Sequence, residues 1–125
     1  MKKIYSLIAL AITSVSFAQY NGTGTFTKVT SLADLVDGYY AITNENSEVL
    51  MMSERNNATA TGWYKADTIS LTNNNIVDPL AVNVWKIETT EEGKTIYNEV
   101  TTKYVGWSSG NSASAEDTAY RWNSG

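Results

Sequence analysis

The sequence predicts an all-β fold, a sandwich, barrel or trefoil, and three observations carry that expectation. Beyond the first eighteen residues, no stretch sustains the 3.6-residue apolar period of an amphipathic helix. Short runs rich in aromatic and β-branched residues recur instead, with turn-forming residues between them about every eight to twelve positions. Two of these runs also share one construction: TIYNEVTTKYV (Thr95 to Val105) has a looser copy upstream in AITNENSEVLM (Ala41 to Met51).

In chain order, MKKIYSLIALAITSVSFA comes first. Lys2 and Lys3, an apolar run from Ile4 to about Val15 and a small-residue site ending at Ala18 are the layout of a secretory signal peptide. The apolar run is too short to span a bilayer, which takes about 20 apolar residues. Cleavage after Ala18 is expected, leaving Gln19 at the mature N-terminus. A polar, Gly-rich leader from Gln19 to Thr25 reads as flexible, and 26–125 as the domain.

Phe26 to Thr30 has strand composition. Ser31 to Gly38 reads as a short helical turn capped by Ser31, with Asp34 in the place of a capping-box acid and Gly38 closing it. Tyr39 to Thr43 and Val49 to Met52 are strands around an Asn44 to Ser47 turn, and Ser53 to Gly62 is a polar loop. Trp63 to Ala66 and Thr68 to Thr72 are further strand candidates, before the cluster Asn73, Asn74 and Asn75 and a connection at Pro79. Val82 to Glu88, Lys94 to Asn98 and Lys103 to Trp107 follow as strands, with turns at Thr89 to Gly93 and Glu99 to Thr102. Ser108 to Asp117 is a polar loop, and Thr118 to Trp122 begins a last strand.

Composition excludes several chemistries. The chain has no cysteine and no histidine, so disulfides, thiolate or imidazole metal sites and Ser-His-Asp or Cys-His machinery are all absent. Without Lys2 and Lys3, seven basic residues face thirteen acidic ones, a net charge of −6. An acidic surface repels phosphate backbones, which argues against nucleic-acid binding. No later segment is apolar enough for a membrane, and a soluble monomer without cofactor or metal is expected. Glu91-Glu92 and Glu116-Asp117 read as solvated turn and loop charges rather than as a glycosidase pair.

The repeat extends further. At an offset of 54, Ile42 meets Ile96, Asn44 meets Asn98, Leu50 meets Tyr104 and Met51 meets Val105, while Trp85 and Trp122 stand 37 residues apart. A W-x-I strand, an I-x-N strand and a K-Y-V arm resemble the β-trefoil of ricin-like lectin domains. Together with FTKVTSLADLVDGYYAIT, VWKIE, GKTIYNEVTTKYVGW and the closing Arg121-Trp122, they resemble an accessory domain of secreted multidomain proteins from type IX-secreting Gram-negative bacteria. That resemblance implies an exported or cell-surface module holding two of three hairpin units, with a third unit and a sorting domain to follow. No Gln-x-Trp motif occurs, so sugar binding does not come with the resemblance.

The function expected on these grounds is a non-catalytic binding module for a glycan or a partner domain. The alternatives are the N-terminal accessory part of an exported hydrolase or nuclease, and a structural spacer or adhesion module. Trp63, Tyr64 and Trp107 stand beside polar loops, where they could stack on sugar faces with Asn73, Asn74, Asn111 or Asp117 supplying hydrogen bonds. A plainer reading competes: Trp85 and Trp122 as core, Trp63 and Trp107 as caps on hairpin ends.

Overall fold

A computed structural model of the chain describes residues 7–12, 19–44, 50–55, 64–107 and 114–122. The chain is all-β. Its strands are β1 (Leu7–Ile12), β2 (Thr25–Lys28), β3 (Gly38–Asn44), β4 (Leu50–Arg55), β5 (Tyr64–Thr68), β6 (Ile76–Val77), β7 (Trp85–Thr90), β8 (Gly93–Asn98), β9 (Lys103–Gly106) and β10 (Ser114–Glu116). They form an open sheet in the order β10-β9-β8-β7-β3-β1-β2-β6, with β4 pairing β3 and β5 pairing β4. Every strand pair is antiparallel. Among the described residues, no helix is long and apolar enough to cross a membrane.

The sheet is organised by β3, whose residues alternate between two cores. Tyr39 and Ala41 join Phe26, Ile76 and Val84 on one side, with Tyr20 and Ile69 packed against them. Tyr40 and Ile42 join Leu35, Trp85, Ile87, Ile96 and Val105 on the other, with Val29 and Trp122 against them. Side chains alternate across a strand, so a strand apolar at every position must be covered on both faces. Trp85 is wholly buried, and an aromatic side chain of that size gains about 4–6 kcal/mol of gross transfer energy.

The connections follow local chemistry. The Ser31 cap forms: its Oγ accepts the Ala33 N–H at 3.2 Å, over a single 3-10 turn at Leu32–Asp34. Gly38 opens β3 rather than closing that turn. Asn73 and Asn74 take φ of 51° and 63°, and Thr72 and Asn75 exchange backbone hydrogen bonds around them. Two positive φ values are what a tight hairpin turn with the twist of its strands requires. Thr68 to Thr72 is therefore an end of β5 followed by a turn, not a second strand. Val82 and Asn83 lie in a 3-10 turn (Ala81–Asn83) that delivers Trp85 to β3.

Two segments differ more from expectation. Leu7–Ile12, inside the stretch that reads as a signal peptide, pairs with both β2 and β3. Gln19 to Thr25 is tied down: the Tyr20 hydroxyl donates to Pro79 O at 2.6 Å, and Gly24 N–H donates to Asp78 Oδ1 at 2.8 Å. β10 lies in what reads as a polar loop, and Thr118 to Trp122 contributes only a bridge between Trp122 and Lys94. That bridge runs over Gly93, which takes φ 136° at the end of the β7–β8 turn.

A Cβ at Gly93 would stand 2.6 Å from the Trp122 carbonyl oxygen, on a backbone conformation that L-residues rarely adopt. We expect Gly93→Ala to cost roughly 2–3 kcal/mol in urea unfolding. Gly24→Ala, where the nearest atoms are at 3.5 Å or beyond, should change stability little. Equal losses at both positions would show that Gly93 is not the constrained one.

Candidate functional site

The β7–β8–β9 hairpins carry two different faces. Ile87, Ile96 and Val105 point into the core, so their neighbours Lys86, Tyr97 and Tyr104 must point away from it. The registers Tyr39↔Lys86, Lys86↔Tyr97, Tyr97↔Tyr104 and Tyr104↔Glu116 place these five residues in one row. The row crosses β3, β7, β8, β9 and β10, about 19 Å at about 4.8 Å per strand.

At its middle, the rings of Tyr97 and Tyr104 meet with centroids 4.7 Å apart and planes at 50°. Both are half-buried. Polar groups surround them: Lys86 Nζ lies 3.6 Å from Glu88 Oε1, and Glu116 Oε1 accepts a 2.7 Å hydrogen bond from Ser114 Oγ. At the far end, the Tyr39 hydroxyl bonds the Glu99 carboxylate. A pair of π-faces framed by carboxylates and an ammonium can stack on an apolar ring face while accepting and donating hydrogen bonds around it.

The turn that joins β8 to β9 is held from inside by Asn98, which is fully buried. Its Nδ2 donates to Val82 O at 2.8 Å, and its Oδ1 accepts from Val100 N and Thr101 N at 2.9 and 3.0 Å. Thr102 N–H closes on Asn98 O at 2.8 Å, with Thr102 at φ 57°. Those bonds set the β8–β9 register and hence the meeting of Tyr97 with Tyr104.

Of the residues read as ligand-binding from the sequence, Trp63 and Asn111 lie outside the described residues. Tyr64 begins β5 opposite Arg55. Trp107 is half-buried just beyond β9. Asp117 is exposed and ion-paired with Lys103. Because Gly106 pairs Ser114 while Tyr104 pairs Glu116, Trp107 and Asp117 stand at opposite ends of the β9–β10 hairpin. That is roughly 13 Å along the strand. Trp85 belongs to the core, and Trp122 packs against it with its ring N–H donating to Val105 O at 3.0 Å.

Tyr97 and Tyr104 do not stand out in the sequence, although a signal was there. In TIYN and KYVG each tyrosine adjoins the residue that goes to the core. Among the described residues, no group of three or more acidic side chains could hold a metal ion. No protein-family model, curated protein or solved structure matches the chain.

Tyr39, at the covered end of the row, and Tyr20, which packs against it, titrate late. Burial, with Glu99 second, pushes the Tyr39 phenol up to about 12, and burial, with the Asp78 charge second, does the same at Tyr20. The folded chain therefore keeps protons that the unfolded chain releases near pH 10. Their contribution to stability is whole below that pH and is lost as pH rises towards 12. Thermal melts between about pH 9 and 12 should show this fall, and the Tyr20→Phe/Tyr39→Phe double variant should flatten it. An unchanged slope would remove these two phenols as its cause.

Proposed function

We propose that this chain is a secreted, non-catalytic module of β-trefoil-like design that binds glycan on the sheet face centred on Tyr97 and Tyr104. The single observation that carries the reading is that tilted aromatic pair, half-exposed on a sheet whose other face is core, with Lys86, Glu88 and Glu116 around it. Sugars are neutral, present apolar ring faces and carry hydroxyls that both donate and accept. An acidic surface bearing tyrosines and carboxylates suits them better than it suits nucleic acid.

The trefoil-like design is supported by the repeat. At the offset of 54, β3 falls on β8 and β4 overlaps β9, and the β3–β4 and β8–β9 pairs are each antiparallel, with registers one residue apart. Export is supported by Lys2, Lys3, the apolar run and Ala18. The lack of His and Cys throughout the chain supports a binding rather than a catalytic role.

A glycan array probed with the exported chain should give a reproducible hit. Tyr97→Ala and Tyr104→Ala should each weaken it about tenfold or more, the size of an interface hot spot, with melting curves confirming that the variants fold. The absence of any hit would defeat the glycan reading. A hit weakened by Trp107→Ala but not by either tyrosine change would move the site to the far end of β9.

A further inference from the structure

β1 occupies a position that any cleaved leader would vacate. Its backbone pairs Leu7 to Ala11 with Asn44 to Tyr40 of β3, and Leu10 to Ile12 with Lys28 to Phe26 of β2. Without it, the facing edges of β2 and β3 carry unpaired backbone groups beside residues that are almost wholly buried: Phe26, Ala41, Ile42 and Thr43. Unpaired edges inside a core are unfavourable and are a template for another strand.

We propose that the groove between β2 and β3 is a strand-acceptor site that, once the leader is removed, takes an uncharged apolar strand from a partner polypeptide. It rests on the reading that the leader is cleaved. The chemistry of the occupant follows from the walls. β3 is apolar on both faces, with Tyr39 and Ala41 in one core and Tyr40 and Ile42 in the other. A strand seated beside it meets apolar surface on both of its own faces. The register partners on β2 and β3 include one charge, Lys28 at the rim. The sequence now seated there, LIALAI, has these properties: six residues, no charge, no proline.

A second copy of the chain is a poor donor. Comparable uncharged runs downstream, Tyr39 to Thr43, Leu50 to Ser53 and Leu80 to Trp85, are built into β3, into β4 and into the approach to β7, so donating any of them would dismantle the donor. Backbone pairing on two edges would supply affinity and the two apolar walls selectivity, as in other cases of strand addition.

The test uses the full chain with Ala9→Pro and Ala11→Pro, which breaks β1 while keeping everything downstream. A synthetic LIALAI peptide with solubilising tails should raise the melting temperature of this variant by several degrees, more at higher peptide concentration. A peptide with aspartate at its third and fifth positions should not, and the unaltered chain, its groove filled, should take up neither. If the variant does not fold alone, refolding with the apolar but not the acidic peptide should restore the β signal. The proposal is overturned by no effect in either format, by equal effects of the two peptides, or by equal uptake in the unaltered chain. A peptide-independent dimer of the variant would assign the groove to a second copy and overturn it too. Leader removal is read separately, from the mass of the exported chain: retention of residues 7–12 defeats the secretion reading, whereas failure of peptide uptake defeats this one alone.

Discussion

The burial of β3 on both faces is the constraint on which the rest of the sheet depends. A strand with one wet face can be paired on one side and left open; a strand carrying Tyr39, Tyr40, Ala41 and Ile42 in succession cannot. Both of its edges need partners, because buried backbone groups without them are costly. β7 supplies one at Gly38 to Tyr40 and β4 pairs at Thr43, while β1 pairs from Tyr40 to Asn44. Each also brings or leads to a wall of the core: Trp85 follows from β7, and Phe26 from the β2 strand beyond β1.

The second organising element is a side chain that mimics backbone. Asn98 ends β8 at zero exposure and bonds three backbone groups, two in the turn that follows and one at Val82 in the preceding connection. An amide can do this because it carries a donor and an acceptor at a fixed spacing. An apolar residue there would leave those groups unpaired inside the protein. Asn44 is the matching residue of the earlier copy, likewise the last residue of its strand. The I-x-N phrase is therefore repeated for a reason beyond composition: its isoleucine feeds the core, and in the later copy its asparagine closes the hairpin.

How much of this could be read beforehand depends on whether the signal was local. The β7–β8–β9 unit was legible because its alternation, its Gly93 and its turn residues agree. The Asn cluster was legible as a turn because asparagine tolerates positive φ. β10 was not legible, since Ser114-Ala115-Glu116 has no strand character of its own. It pairs because Gly106 lets it close in, a Cβ there standing 2.5 Å from Glu116 Cγ. Leu7–Ile12 reads in the sequence as the centre of a leader and not as a strand, for a different reason: periodicity alone does not separate a short apolar leader run from a strand. Tyr97 and Tyr104 drew no notice in the sequence because each is one of several tyrosines beside a core residue of its strand. Trp85 lies in the core and Trp122 packs against it, as their strand contexts in the sequence led one to expect.

That division of labour bears on what the tyrosines can do. Tyr97 and Tyr104 sit on the same strands that anchor Ile96 and Val105 in the core, and the register between them is held by a buried amide. A recognition surface on paired strands loses little freedom on binding, in contrast to one assembled from loop tips. The ring pair is also held by its own contact at 4.7 Å. The tyrosines are positioned by the paired strands themselves.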